Sequence, residues 1–161
     1  MPDIAISELP AAALLQPYRS AGDYTDCFSI EVPRRVSQAA FVEAFYTSAL
    51  FRLERMVLAW LASRPSRDAE VRELAAGQRT RFAAWSVEGR AHDQLLLCDF
   101  QGSTRSWLMT APGADGHSTR LYFGSAVVRR RQGKAFRALL GLHQLYSRLL
   151  LRAAAARVIR A

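Results

Sequence analysis

The stretch QGKAFRALLGLHQLYSRLLLRAAAARVIRA, residues 132–161, decides how the rest of the chain is read. Turned at about 100° per residue from Leu139, it gathers Phe136, Leu139, Leu142, His143, Tyr146, Leu149, Leu150 and Ala153 within roughly 140° of arc. Arg137, Arg148 and Arg152 fall on the opposite side, with Gly141 and Gln144 beside them. A helix with one wide apolar stripe has to lay that stripe against something. Strand-like segments lie directly upstream, so the stretch predicts a long helix closing over a sheet, with a cavity between them.

Those upstream segments alternate with turn signals. Residues 79–88, 91–100, 104–111 and 118–128 read as strands, separated by Glu88-Gly89-Arg90, Gln101-Gly102-Ser103 and the loop Pro112-Gly113-Ala114-Asp115-Gly116. Short connections between neighbouring strands predict an antiparallel meander. A fifth strand, residues 24–32, opens after Gly22 and stops at Pro33, with Tyr24, Asp26, Phe28 and Ile30 on one side. Between it and the meander, Ser37 is placed to cap a helix from Gln38. No single stripe survives from Phe41 to Leu61, and Thr47-Ser48 is the natural break. Two short helices are predicted, 38–47 and 49–62, with Glu43 and Glu54 near one direction. Pro65 ends the second, and Ser66 is placed to cap a small helix over 67–76. Residues 1–20 read as loosely structured, with a helical turn over 9–15 that Pro17 would end. The sum is one α+β domain over residues 1–161, with helices grouped on one face of an antiparallel sheet.

This order resembles the helix-grip superfamily, which includes START-like lipid-transfer domains and polyketide cyclase-like (SRPBCC-like) proteins. More narrowly, Asp23-Tyr24-Thr25-Asp26, Leu121-Tyr122-Phe123-Gly124 and the helix from Leu139 to Tyr146 are similar to an uncharacterised bacterial family usually grouped with it. The resemblance covers about residues 20–155. It implies a curved sheet wrapped around the C-terminal helix and a hydrophobic cavity, and it carries over no catalytic residue. The superfamily usually has six or seven strands against the five read here, so a further strand is expected within 5–20 or 64–78.

Composition narrows the function. Half of the 161 residues are hydrophobic, which excludes a disordered chain. A domain of this size buries roughly 68–70% of its unfolded surface, enough for a core that contains a pocket. No apolar run reaches the roughly 18 residues of a membrane span. The acidic, unsignal-like N-terminus makes a cytoplasmic location the expectation. The net charge is +8, and every basic residue but Lys134 is an arginine. No acidic residue follows Asp115, so the C-terminal region is cationic. It reads either as a solvated helix face or as a surface for an anionic partner. The run Arg129-Arg130-Arg131-Gln132-Gly133-Lys134 has no nucleic-acid module around it and reads as a connector. Cys27 and Cys98, 71 positions apart, form neither a zinc pattern nor a disulfide framework. No metal or other cofactor is expected. Gly-x-Ser-x-Gly, phosphate-loop and dinucleotide fingerprints are absent.

Candidate chemistry centres on His143, placed inside the apolar stripe. An imidazole there can orient a ligand or act as a general base, or it can be a core histidine satisfied by backbone or tyrosine. Asp26 and Asp99 are its candidate carboxylate partners. Arg105, in phase with Trp107, reads as an anchor for an acidic ligand or as an ion-pair member. His92 and His117, beside turns, read as exposed. Tyr24, Trp107, Tyr122, His143 and Tyr146 are the expected lining of a cavity for a small apolar ligand. The alternatives are a cyclase- or dehydratase-type enzyme using His143, and a basic module docking on an anionic surface.

Overall fold

The structure, a computed structural model, describes residues 3–63, 65–128 and 134–161. The basic run at Arg129–Gly133 lies outside the described residues, as do the side chains of Phe136, Arg137 and Leu139. The chain runs β1 (Ala5–Ile6), α1 (Gln16–Ser20), β2 (Tyr24–Val32), α2 (Gln38–Tyr46), α3 (Ala49–Ala62), α4 (Asp68–Ala75), β3 (Arg81–Phe82), β4 (Trp85–Ala91), β5 (Gln94–Asp99), β6 (Thr104–Pro112), β7 (Thr119–Val127) and α5 (Lys134–Arg160). All seven strands form one antiparallel sheet in the order β1-β2-β7-β6-β5-β4-β3. The first long strand, β2, therefore pairs with the last, β7, along nine residues from Tyr24↔Val127 to Val32↔Thr119. No described helix is long and apolar enough to cross a membrane.

Local chemistry explains most boundaries. Ser37 Oγ accepts the Ala40 N–H at 3.2 Å and starts α2, as its sequence position predicts. Ser66 does not cap α4. Its oxygens take the Arg55 guanidinium instead, while the Glu70 side chain returns to the Arg67 N–H at the start of the helix. Pro17 does not end a helix either. It sits in the first turn of α1, where its missing N–H would have had no partner anyway.

The segment 79–88 divides in two. Phe82 pairs with Trp85 across a turn at Ala83-Ala84, and Ala83 adopts φ +51. That left-handed backbone normally belongs to glycine, so the sequence carries no turn signal there. A bulge between Val87 and Gly89 then lets β4 stay paired with β5. With β1, which pairs only Ala5 and Ile6 with Ser29 and Phe28, the five expected strands become seven.

Each face of the sheet is covered. On one side Phe28, Ile30, Leu95, Leu97, Leu108, Leu121 and Phe123 pack under the helices. On the other, Leu9, Ala13 and Leu15 of the N-terminal segment cover Cys27, Leu96, Trp107 and Ala126. Gly124 marks the closest approach in that layer. A Cβ there would meet the Asp26 carbonyl oxygen at 2.8 Å and Trp107 Cε3 at 3.0 Å.

The C-terminal helix forms where expected but is turned about its axis. Ser147, Leu150, Leu151, Ala154, Ala155 and Val158 are buried, at the i, i+3, i+4, i+7 spacing of one face. Leu142, Leu145 and Leu149 are 65%, 53% and 47% exposed. The buried face is thus rotated by about one residue, roughly 100°, from the leucine-centred stripe. Small residues lie on the side packed against α2 and β2, where they permit close approach. The Arg34 guanidinium donates to the Val158 carbonyl at 2.9 Å and satisfies one of the open carbonyls at the end of α5.

Candidate functional site

Beneath α5 lies a cavity of about 230 Å³, walled by α2, α3, α5 and strands β4, β6 and β7. Its apolar wall is mostly aromatic: Phe45, Phe51, Trp85, Phe123 and Tyr146, with Leu150. Phe45 stands at the centre of this group, its ring centroid 4.8 Å from Phe123, 5.9 Å from Phe51 and 5.1 Å from Tyr46. Alternation in β2, β6 and β7 brings Asp26, Ser106 and Ser125 to the helix side among these apolar neighbours.

Behind Ser125 and His143, which line one end of the cavity, three side chains converge on one carboxylate. Asp26 Oδ1 accepts the Ser125 N–H at 2.9 Å and the Ser125 hydroxyl at 2.7 Å. Asp26 Oδ2 accepts the Tyr24 hydroxyl at 2.9 Å and lies 3.3 Å from His143 Nε2. His143 Nε2 is also 2.9 Å from Ser125 Oγ. Because the serine hydrogen goes to Asp26, Nε2 carries a proton and donates to Ser125 Oγ. In the neutral ring the lone pair then resides on Nδ1. This bonding differs from a nucleophilic triad, in which serine donates to the imidazole and the carboxylate holds the opposite nitrogen. Ser125 here is a bridge between base and carboxylate. Gln144 Nε2 donates to the Tyr24 hydroxyl at 3.3 Å, and the Tyr24 ring meets the His143 ring edge-on at 6.2 Å. Burial holds the Tyr24 phenol well above its ordinary pKa, reinforced by the Asp26 charge, so this hydroxyl is a donor throughout the neutral range.

The second polar feature is Glu54 of α3, which accepts the Tyr146 hydroxyl of α5. Burial among the aromatic rings raises the Glu54 carboxyl pKa, and the Tyr146 bond opposes that shift. Burial, followed by the Glu54 charge, also raises the Tyr146 phenol far above its ordinary value. Trp85 contributes a third group, a buried indole N–H with no hydrogen-bond partner among the described residues. Glu54 and Trp85 were not among the expected site residues. In the sequence Glu54 stood out only as one of two carboxylates, with Glu43, in a strongly apolar segment that also holds Arg52 and Arg55.

Of the expected residues, Tyr24, Asp26, His143 and Tyr146 are brought together on the helix side. Trp107 and Tyr122 are not. Both stand on the opposite face, their rings 6.3 Å apart, with Trp107 Nε1 donating to Gln94 Oε1 at 2.9 Å. Odd positions of β6 and even positions of β7 point away from α5, which fixes this placement. Asp99 is the last residue of β5. Its Oδ1 accepts the Ser103 and Thr104 N–H groups at 2.6 and 2.9 Å, tying the β5–β6 hairpin. Arg105 is paired with Glu88 at 2.9 Å and lies over the Tyr18 ring on the far side. His92 and His117 are exposed. Cys27 is buried, which pushes its thiol up to about 12, and neither cysteine is bonded to the other. No cluster of three metal-ligating side chains exists among the described residues.

Compared with known protein families, with curated proteins and with solved structures, the chain matched none.

Proposed function

We propose that the protein binds a small, largely apolar ligand in the cavity beneath α5, in the manner of a helix-grip domain. The observation that carries this reading is the aromatic cavity itself, with few polar groups set around it. Ligand sites are normally mostly apolar with a few placed polar anchors. The volume is below the roughly 300–1,000 Å³ of drug-sized pockets, which favours a ligand of about one ring. The strand-helix-helix-meander-helix order supports the helix-grip assignment, as does the pairing of β2, the first long strand, with β7, the last.

A second reading has its own observation, the His143–Ser125–Asp26 network. A proton-holding imidazole backed by a nearly buried carboxylate, 6% exposed, is suited to moving a proton on a bound molecule. Cyclase- or dehydratase-type chemistry with His143 as base and Asp26 as partner fits that geometry.

Native mass spectrometry of the purified full chain, with denaturation and extraction, tests both. Under the binding reading the native mass exceeds the chain by one small molecule, and a Leu150→Trp substitution that fills the cavity removes it. A bare mass, joined by no response to toluene or benzyl alcohol, would sink the reading. Incubating the complex in D₂O then separates the two. Exchange of ligand carbon-bound hydrogens that is lost in His143→Gln indicates proton chemistry, and its absence leaves binding alone.

A further inference from the structure

The charge inside the cavity is unbalanced. Glu54 projects a carboxyl group into the aromatic wall, and its bond in the described structure is from a neutral donor, the Tyr146 hydroxyl. The arginines nearest in sequence or in the wall are engaged elsewhere. Arg55 pairs with Asp68 at 2.7 Å, and Arg105 pairs with Glu88. His143, the other titratable base of the wall, is held by Asp26 and Ser125. No cation pairs with Glu54 among the described residues. A carboxylate so placed is costly unless an opposite charge joins it.

The surroundings supply the other half of a recognition site. Phe45, Phe51, Trp85, Phe123 and Tyr146 reach the same cavity from five different elements. Aromatic faces carry negative quadrupole charge and attract cations within about 6 Å, most strongly where water is excluded. Aromatic side chains that share one cavity wall with a carboxylate suit an ammonium group: the rings can receive its C–H and N–H edge, and the carboxylate its charge. A neutral ligand would leave Glu54 uncompensated, and an anion would repel it.

We propose that the cavity takes a small organic cation, an amine on an apolar body of about one ring, with its ammonium group set against Glu54 inside the aromatic wall. This rests on the cavity-binding reading above and names the class of ligand it receives. The Tyr146 hydroxyl, already bonded to Glu54, holds the carboxylate in place from α5. The ammonium approaches from the cavity side.

The test is calorimetric titration of the full chain, near neutral pH, with three probes of one shape: 2-phenylethylamine, 2-phenylethanol and 3-phenylpropionate. The amine should bind roughly ten-fold or more tighter than the alcohol, with the carboxylate weakest. Glu54→Gln should remove the preference, bringing the amine down to the level of the alcohol. An alcohol that binds as well as the amine, or a preference for the carboxylate, overturns the cation site and leaves a cavity-binding protein. Failure of all three to bind overturns both. The ranking in the unmodified protein decides the matter even where the variant does not fold.

Discussion

Two tryptophans on opposite faces of the sheet meet very different surroundings. Trp107, on the far face, is fully buried, and its indole N–H donates to Gln94 Oε1. The same oxygen accepts the Leu14 N–H, and Gln94 Nε2 donates to the Ala12 carbonyl. One glutamine thus ties a core ring to the N-terminal segment that covers it. Trp85, on the helix face, has an indole N–H with no partner among the described residues and borders a cavity. Where every polar atom is answered, the layer is built for stability. Where an indole N–H is unbonded and a carboxylate has only a neutral partner beside a cavity, the layer is built to receive something.

The largest effect should come from the far face. Trp107→Ala removes a fully buried ring and one of the two donors to Gln94 Oε1, and should cost about 3–5 kcal/mol in urea unfolding. A loss under about 1 kcal/mol would mean the N-terminal segment is not a true second layer.

Glu54 should produce a smaller, pH-dependent effect. Its folded pKa is raised by burial, so as pH rises past the unfolded value of about 4.3 the unfolded chain releases this proton first. The folded state then binds more protons, and stability falls with rising pH across the window between the unfolded and folded values. Above that window the penalty is complete. Tyr146, bonded to Glu54, keeps its proton throughout this range because burial raises its phenol far above its ordinary value. The stability of Glu54→Gln minus that of the unmodified chain should therefore grow as pH rises from about 4 and level off once the folded value is passed. Parallel curves across that range would remove the contrast between the two faces.

The smallest effect is expected at Trp85. With no hydrogen bond to lose, Trp85→Phe should change stability by about 1 kcal/mol or less, against the large cost at Trp107. A cost similar to Trp107→Ala would show that the indole N–H is bonded after all.

How much of this the sequence disclosed follows from what alternation can and cannot say. Pro33 and Ser37 bracket the passage from β2 to α2, and the break at Thr47-Ser48 separates α2 from α3, so these elements are legible to within a residue. Tyr24 and Asp26 share the face of Phe28, and that phase held. Trp107 and Tyr122 were misplaced because this sheet is apolar on both sides. Alternation then assigns residues to two faces without telling which one meets α5. The rotation of α5 has a similar cause. Leucines dominate a stripe by hydrophobicity, whereas Ser147, Ala154 and Ala155 win the buried positions by being small. The hairpin at Ala83-Ala84 left no trace because alanine occupies a backbone conformation that glycine usually marks. Nothing in the sequence set Glu54 apart from Glu43, and only the approach of Tyr146 from the end of the chain gives it a role.

The separation of the indoles also gives the molecule two built-in optical probes. The chain has three tryptophans, and the third, Trp60, lies on α3. In a Trp60→Phe background one emitter would border the cavity and the other would sit beneath the N-terminal segment. The emission of Trp85 would then shift as a ligand displaces water beside it. Trp107 would keep its blue, dry spectrum until residues 9–15 peel away. Filling of the protein and opening of its cover could be followed as two separate colours in a single unlabelled sample.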